Sequence, residues 1–325
     1  MSPGSDDAGS DTKESGSGGS SSGGAVGSGG ATASGGRGSG GAASGGNGGR
    51  GSGGAPGSGG TNGTGGATGS GGAGVGGAGG RGGGAGGGAG AGGGSEYMPC
   101  PTTAGTACAV LPLGDSITEG CCTAPEGGYR IELFRQAVTN TKNLTFVGSL
   151  MNGPTPVAGR TFPMRHEGHG GYTISGGGNG GIAGTITDTA ISTYHPNIVL
   201  LMIGTNDLND NIDVTNAPSR LGKLIDEIIT DAPAALVVVS TIIPIGAPNG
   251  DQRTQTYNAA LPGLVNARAS AGKHVVLVDS YAAFAKDPNY QTTLKADGLH
   301  PNTAGYVVLG QAFYGAIGAL LPAGP

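Results

Sequence analysis

The sequence predicts an α/β fold in three layers, with a parallel β-sheet between two layers of helices. Two observations support this prediction. Five apolar runs rich in β-branched residues have the length of buried strands, and segments with apolar residues at helical spacing separate them. Parallel strands require long crossovers, and strands that are apolar throughout must be covered on both faces. The alternation therefore indicates a buried parallel sheet.

The predicted strands and helices follow one another along the later part of the chain. The runs CAVLPL, TFVG, IVLLMI, LVVV and VVLV mark the strands in that order. We place the strands at residues 107–113, 145–150, 197–203, 235–242 and 274–279. Around them, apolar residues recur three or four positions apart, which is typical of helices. We place these helices at residues 129–138, 182–194, 217–230, 255–271 and 304–320.

The chain divides by composition into two parts. More than half of its 75 glycines lie in residues 1–95, where Ser, Ala and Thr supply most of the other positions. Large apolar side chains are almost missing there, and their burial is what offsets the entropic cost of ordering a chain. We therefore expect residues 1–95 to be a disordered Gly/Ser/Ala-rich linker, either a tether or an insertion without a role. Residues 96–325 are long enough to form one folded domain.

Charge and hydropathy exclude some function classes. The formal net charge is −5 and no cluster of Lys and Arg is visible, so we expect no nucleic-acid partner. No run approaches the roughly 20 apolar residues of a membrane-spanning helix. The first residues, MSPGSDDAGS, also lack the basic start and apolar stretch of an export signal.

The four cysteines lie close together in sequence, near the start of the expected domain. They are Cys100, Cys108, Cys121 and Cys122. This clustering favours one or two disulfides, which form in oxidising compartments, and the pairing stays open. A zinc site is the alternative, but paired C-x-x-C spacing is missing and the nearest histidines are far along the chain. We therefore expect disulfides and no metal.

The first predicted strand leads directly into a serine. Ligands of parallel sheets bind beyond the carboxyl ends of the strands, and GDSITEG at residues 114–120 places Ser116 at this position. Backbone N–H groups at a strand-to-helix turn can stabilise an oxyanion beside a serine nucleophile. A structural alternative exists, because Ser116 could cap the following helix with Glu119 completing a capping box.

Two later segments carry further polar side chains. GTND follows the third strand, and the Asn206 amide could be an oxyanion donor, or could form an Asx turn or cap a helix. DGLHP at residues 297–301 follows the last strand. A serine hydroxyl needs a neutral histidine to take its proton, and that histidine needs an acceptor that fixes its tautomer. His300 and Asp297 can fill these two roles from one short loop.

Four blocks of the sequence resemble, in order, those of the SGNH/GDSL hydrolase superfamily. They are GDSITEG, the Gly-Tyr-Thr of HEGHGGYTI, GTND and DGLHP, and they span residues 114–301. The resemblance implies a flavodoxin-like α/β/α sandwich with a five-stranded parallel sheet. It also implies that Ser116 is the nucleophile, His300 the general base and Asp297 its orienting acid. No metal and no organic cofactor are implied.

The resemblance further implies three donors to the oxyanion. They are the backbone N–H of Ser116, the backbone N–H of Gly171 and the side-chain amide of Asn206. Gly170 adjoins Gly171 and is an alternative for the second donor. Such donors stabilise the charge that develops during acyl transfer.

Within the superfamily, HEGHGGYTI and NLTFVGSL resemble the bacterial carbohydrate esterase family 3, whose members remove acetyl groups from xylan. This implies a serine esterase that deacetylates xylan or a related plant polysaccharide, or a small ester, and is secreted or tethered to the bacterial cell surface. The alternatives are an SGNH lipase, lysophospholipase, thioesterase or pectin acetylesterase, and a catalytically silent carbohydrate-binding module. Tyr129 and Tyr172 could offer a sugar-stacking face or could be core residues.

Overall fold

The computed structural model describes residues 97–103 and 105–324, so the expected linker at residues 1–95 lies outside the described residues. In the described part, seven strands form one mostly parallel sheet. The strands are β1 (Cys108–Gly114), β2 (Leu144–Phe146), β3 (Leu150–Met151), β4 (Arg165–Gly168), β5 (Ile198–Met202), β6 (Leu236–Ser240) and β7 (Val275–Val278).

The helices lie between and after the strands. They are α1 (Ser116–Glu119), α2 (Tyr129–Thr139), α3 (Thr185–Tyr194), α4 (Thr205–Asn209), α5 (Ala217–Asp231), α6 (Gly250–Ser270), α7 (Ser280–Ala285), α8 (Tyr290–Thr293) and α9 (Thr303–Ile317). One layer contains α2, α7 and α9, and the other contains α3, α5 and α6. The predicted three-layer α/β class is therefore confirmed.

Strands β2, β1, β5, β6 and β7 pair in parallel, in that spatial order. Strand β1 pairs with β5 along its length, from Val110 opposite Ile198 to Gly114 opposite Met202. Strands β5 and β6 are buried at every position, as their continuous apolar sequences require. The site therefore forms at the carboxyl end of the most buried strands.

The sheet departs from the prediction at one edge. The predicted strand 145–150 is too long, because β2 ends at Phe146 and the chain turns at Gly148. The φ of Gly148 is +146°, and a Cβ atom there would lie 2.3 Å from the backbone of His166. Two short strands, β3 and β4, were not predicted. Strand β4 pairs in parallel with the end of β1, and β3 pairs with β4 in the antiparallel direction.

Helix α9 and the 3₁₀ turn after it form a long apolar segment. By length and composition alone, Thr303–Leu320 could cross a membrane. Its side chains Leu309, Phe313 and Ile317 are fully buried, and the helix packs against α2. We therefore assign α9 to the core of the domain.

Candidate active site

Ser116 is the first residue of α1 and follows β1 after a single residue. Asp115 is the N-cap, and its Oδ1 accepts a hydrogen bond from the Ile117 N–H at 3.0 Å. The alternative that Ser116 caps this helix is therefore wrong. A residue in the first helical turn has no intrahelical acceptor for its N–H, so the Ser116 N–H can serve a bound oxyanion.

Two glycines allow the backbone to crowd around this turn. A Cβ atom on Gly114 would lie 2.1 Å from the Met202 carbonyl oxygen, and one on Gly168 would lie 2.2 Å from the Glu119 nitrogen. Strands β4 and β5 therefore pack directly against β1 and α1. The His169 N–H then donates to the Gly114 carbonyl at 3.0 Å, which places the following loop beside Ser116.

Ser116, His300 and Asp297 form one hydrogen-bonded chain. Oγ of Ser116 lies 3.0 Å from Nε2 of His300. Nδ1 of His300 lies 3.0 Å from Oδ2 of Asp297. Burial raises the pKa of Asp297, but hydrogen bonds from His300 and from the Leu299 N–H outweigh that effect and hold the pKa at about 2. Asp297 is therefore ionised at neutral pH and can accept the Nδ1 proton.

A buried lysine supports the loop that carries this histidine. Nζ of Lys295 donates to the carbonyl oxygens of Leu299, at 2.8 Å, and of Pro244. Burial lowers the pKa of Lys295 to about 8, and the charge of Asp297 opposes that shift. The role of Lys295 was missed from sequence, because its partner Pro244 lies in the distant loop after β6.

Asn206 lies in α4, directly beyond β5. Its side-chain amide donates to the Tyr172 carbonyl at 2.7 Å. The alternative that Asn206 caps this helix is wrong, since the N-cap is Gly204. An amide nitrogen carries two hydrogens, so one N–H remains for a ligand. The contact also joins the end of β5 to the loop after β4.

Gly170 and Gly171 lie in that loop. A Cβ atom on Gly170 would be 4.0 Å from the Ser116 Cβ, which shows how near the loop is to the nucleophile. In the described part of the chain, neither glycine N–H donates to a protein acceptor. Gly171 has a φ of +78°, and a Cβ atom there would strike the Asn179 amide at 2.2 Å. The choice of Gly171 over Gly170 as a donor stays a prediction.

Two buried ionic residues hold the walls of the site and were missed from sequence. Asp207 accepts hydrogen bonds from the Ile174 N–H at 3.1 Å and from Arg220 at 2.5 Å. Arg130 is fully buried and donates to the carbonyls of Glu119 and Met164. The sequence does contain a signal for Arg130, because this residue lies within the apolar stripe of α2. A charged side chain at a buried position needs polar partners, so this placement indicates that Arg130 is paired.

The rim beside Ser116 is polar. Nε2 of His169 lies 2.9 Å from Oε2 of Glu167, and its ring lies 5.1 Å from the half-buried ring of Tyr172. Tyr129 is fully buried, so of its two alternatives it is a core residue and offers no sugar-stacking face. For Tyr172 both alternatives stay open.

All four cysteines are paired, as expected. The disulfides join Cys100 to Cys108 and Cys121 to Cys122. The second pair follows α1 immediately. Its sulfur atoms and a ring nitrogen of His300 lie within 4.8 Å of one another. In the sequence the histidines are far from the cysteines, so no histidine was expected near them. The fold nevertheless brings His300 next to Cys121 and Cys122.

Comparisons with known proteins agree with this geometry. The model of the GDSL-like lipase/acylhydrolase family matches residues 113–308. A multidomain esterase of Ruminococcus flavefaciens is 33% identical over 234 residues, which are 65% of this chain and 28% of that protein. A Clostridium thermocellum family 3 carbohydrate esterase is 31% identical with a TM-score of 0.54, and the match covers 66% of this chain and 98% of that one. A family 3 carbohydrate esterase from Talaromyces cellulolyticus is 26% identical with a TM-score of 0.55, over 66% and 97% of the two chains.

The chain belongs to the GDSL-like lipase/acylhydrolase (SGNH) family and is a carboxylic ester hydrolase. The predicted superfamily, fold class and reaction class are thereby confirmed. The chain spans 28% of the length of its multidomain relative. The roles of the individual site residues stay predictions.

Proposed function

We propose that this protein is a serine acetylesterase that deacetylates xylan or a related plant polysaccharide. The observation that carries the proposal is the hydrogen-bonded chain from Ser116 through His300 to Asp297. Similarity to family 3 carbohydrate esterases supports the carbohydrate substrate.

The reaction has two acyl-transfer steps. Oγ of Ser116 attacks the ester carbonyl carbon while Nε2 of His300 takes the hydroxyl proton. The N–H groups of Ser116 and Gly171 and the amide of Asn206 hold the oxyanion. The intermediate collapses to an acetyl-enzyme, and His300 returns the proton to the departing sugar oxygen. In the second step His300 activates a water molecule, which attacks the acetyl-enzyme and releases acetate.

The exposure of the site favours a small acyl group on a large polar molecule. The Asp297 side chain is 52% exposed. The loop after β4, which approaches Ser116 at Gly170, is held by the polar side chains of Asn179 and Asn206. A long acyl chain would need an apolar channel to bury it. An acetyl group needs little burial, so its polysaccharide can stay outside the pocket. This argument disfavours the lipase, lysophospholipase and thioesterase alternatives, whereas a pectin acetylesterase fits equally well.

Secretion or attachment to the bacterial cell surface is part of the proposal. Two disulfides suit an oxidising compartment outside the cytosol. The proposed polysaccharide substrate is also located outside the cell. Fractionation of the source cells, followed by an assay for the enzyme in medium and envelope, tests this location.

The test of activity compares wild type with Ser116→Ala. The measurement is acetate release from acetylated xylan, acetylated pectin and p-nitrophenyl acetate, together with p-nitrophenyl esters of longer acids. We expect wild type to release acetate from xylan and to slow with longer acyl chains, and Ser116→Ala to lose activity by roughly 10³ or more. Ser192→Ala, which removes an exposed serine of α3, is the matched control and should keep full activity.

The outcomes separate the alternatives. Faster release from pectin than from xylan would identify a pectin acetylesterase, and faster turnover of long acyl esters would identify a lipase. Labelling by a fluorophosphonate tests the alternative of a catalytically silent module. Only an activated serine reacts, so such a module should not be labelled. Equal rates for wild type and Ser116→Ala would remove Ser116 from the mechanism.

A further inference from the structure

The Cys121–Cys122 disulfide borders the catalytic histidine. Its two sulfur atoms and a ring nitrogen of His300 lie within 4.8 Å of one another. Cys122 is exposed, and Cys121 and His300 are half-buried, so small solutes can reach the group. The Cys121 N–H donates to the Ser116 carbonyl at 3.2 Å, and Tyr306 Oη donates to the Cys121 carbonyl at 3.0 Å. The backbone therefore holds the sulfur atoms near His300.

Two thiolates and an imidazole are a ligand set for zinc and for softer divalent cations. Such sites use tetrahedral geometry, with metal–sulfur bonds of about 2.3 Å and metal–nitrogen bonds of about 2.0–2.1 Å. In the disulfide the two sulfur atoms are bonded to each other and are not thiolates. The oxidised protein therefore lacks the ligand set, and reduction would supply it.

We propose that reduction of the Cys121–Cys122 disulfide creates a soft-metal site with His300 as the third ligand, and that a metal bound there inhibits the esterase. The inhibitory part rests on the proposed catalytic role of His300. A metal on Nε2 would occupy the atom that takes the Ser116 proton. A metal on Nδ1 would displace Asp297. Either ligation removes the base from the mechanism.

The chemistry of the switch balances with a phosphine as reductant. The disulfide takes up two electrons and two protons, the S–S bond breaks, and the phosphine becomes a phosphine oxide with an oxygen atom from water. A divalent cation then binds both sulfur atoms, and the two thiol protons pass to solvent. His300 contributes a lone pair in its neutral form.

The test uses Cd²⁺ as the probe on wild type and on Cys121→Ser/Cys122→Ser, each with and without phosphine treatment. The amount bound is read from the ultraviolet cadmium–thiolate absorption, and the esterase is assayed on p-nitrophenyl acetate. The phosphine also reduces Cys100–Cys108. The double variant keeps that pair, so it is the matched control for metal binding or damage there. Serine at both positions keeps the backbone contacts.

We expect reduced wild type to bind one Cd²⁺ more per chain than the reduced double variant. Its activity should fall roughly a hundredfold, because a ligated histidine cannot act as a base. EDTA should restore the activity. Oxidised wild type and the double variant should keep theirs. His300→Ala should weaken Cd²⁺ binding in the reduced protein by about tenfold or more, since it removes one of the three ligands.

Several results would overturn the proposal. They are equal Cd²⁺ binding by reduced wild type and the double variant, equal inhibition of the oxidised protein, and unchanged affinity in His300→Ala. The absorption reports the metal site without any turnover. A protein that binds Cd²⁺ as expected but hydrolyses no ester would refute the proposed esterase and leave the metal site standing.

Discussion

The carboxylate of Asp297 forms hydrogen bonds with both the ring and the backbone of His300. Oδ2 lies 3.0 Å from the ring Nδ1, and Oδ1 accepts the His300 backbone N–H at 2.6 Å. The Leu299 N–H donates to the same Oδ1 at 2.7 Å. Asp297 therefore sets the shape of the loop as well as the orientation of the His300 ring.

Asp297→Asn should lower kcat by roughly 10²–10⁴ and change KM little, because an amide can present an N–H to Nδ1 and favour the wrong tautomer. The measurement is the rate of p-nitrophenyl acetate hydrolysis against substrate concentration. Asp210→Asn, an exposed carboxylate near the site, should behave as wild type. A full kcat in Asp297→Asn would contradict the role assigned to Asp297.

The low pKa of Asp297 also fixes the pH at which its interactions are lost. The folded pKa of about 2 lies below the ordinary value of 3.8. The stabilising contribution of Asp297 is therefore fully present above about pH 4 and is lost only as the pH falls through about 2. Loss of esterase activity between pH 4 and 7 should thus be reversible, with Asp297 ionised throughout. Activity regained after return from pH 5 to pH 7.5 is the measurement, and irreversible loss at pH 5 would be the contrary result.

Asn206→Ala should lower kcat by roughly 10²–10³, the usual effect of losing one oxyanion donor. KM should change less, because the donor acts mainly when charge develops on the carbonyl oxygen. Steady-state kinetics with p-nitrophenyl acetate separates the two constants. Asn179→Ala is the matched control, since that amide also contacts the loop, at the Gly170 carbonyl. A raised KM with unchanged kcat would mean that Asn206 only binds substrate.

Lys295→Met should lower kcat about tenfold or more by loosening the loop that carries His300. The substitution leaves the carbonyls of Pro244 and Leu299 without their donor, and each unsatisfied buried group costs about 1–3 kcal/mol. Kinetics and thermal unfolding are measured together, with the exposed Lys286→Met as control. Lys295→Arg keeps the charge and should recover part of the rate. Unchanged kcat in Lys295→Met would show that the loop holds its position without the lysine.

Relative to wild type, Asp115→Asn should be more stable at neutral pH than it is at acid pH. Burial raises the pKa of Asp115 from 3.8 to about 6, although the hydrogen bond from the Ile117 N–H opposes the shift. The folded state therefore holds this proton more tightly than the unfolded chain, and wild-type stability falls as the pH rises from about 4 to about 6. Asparagine keeps the cap through its oxygen and carries no charge.

The free energy of unfolding of Asp115→Asn minus that of wild type should thus increase between pH 4 and pH 7. The increase is on the order of 2–3 kcal/mol. Urea unfolding at both pH values measures it, and Asp210→Asn should show no such increase. A pH-independent difference would mean that Asp115 is ionised in the folded protein at pH 4.

The sequence predicts the parts of this protein that local pattern determines. The apolar run at 197–203 became β5 and the stripe at 129–138 became α2, because continuous burial and helical spacing are written into neighbouring residues. The segments carrying Ser116, Asn206 and His300 could be found because parallel strands direct their carboxyl ends to one edge.

The remainder depends on contacts between distant residues. Strands β3 and β4 are too short to leave a pattern, and they exist because Gly148 allows a turn next to His166. Lys295 looks like an ordinary charged residue until the fold buries it against backbone carbonyls. The nearness of Cys122 to His300 likewise follows only from the folded chain.

Ser116 and His300 are 184 positions apart, one just after β1 and the other just before α9. No short fragment of the domain contains both Ser116 and His300. A chain growing from its N-terminus therefore brings Ser116 and His300 together only after β1 to β7 have all been synthesised. Ester hydrolysis would consequently report completed folding, and two inactive pieces of a chain cut between β5 and β6 would regain activity only by reassembling the whole sheet.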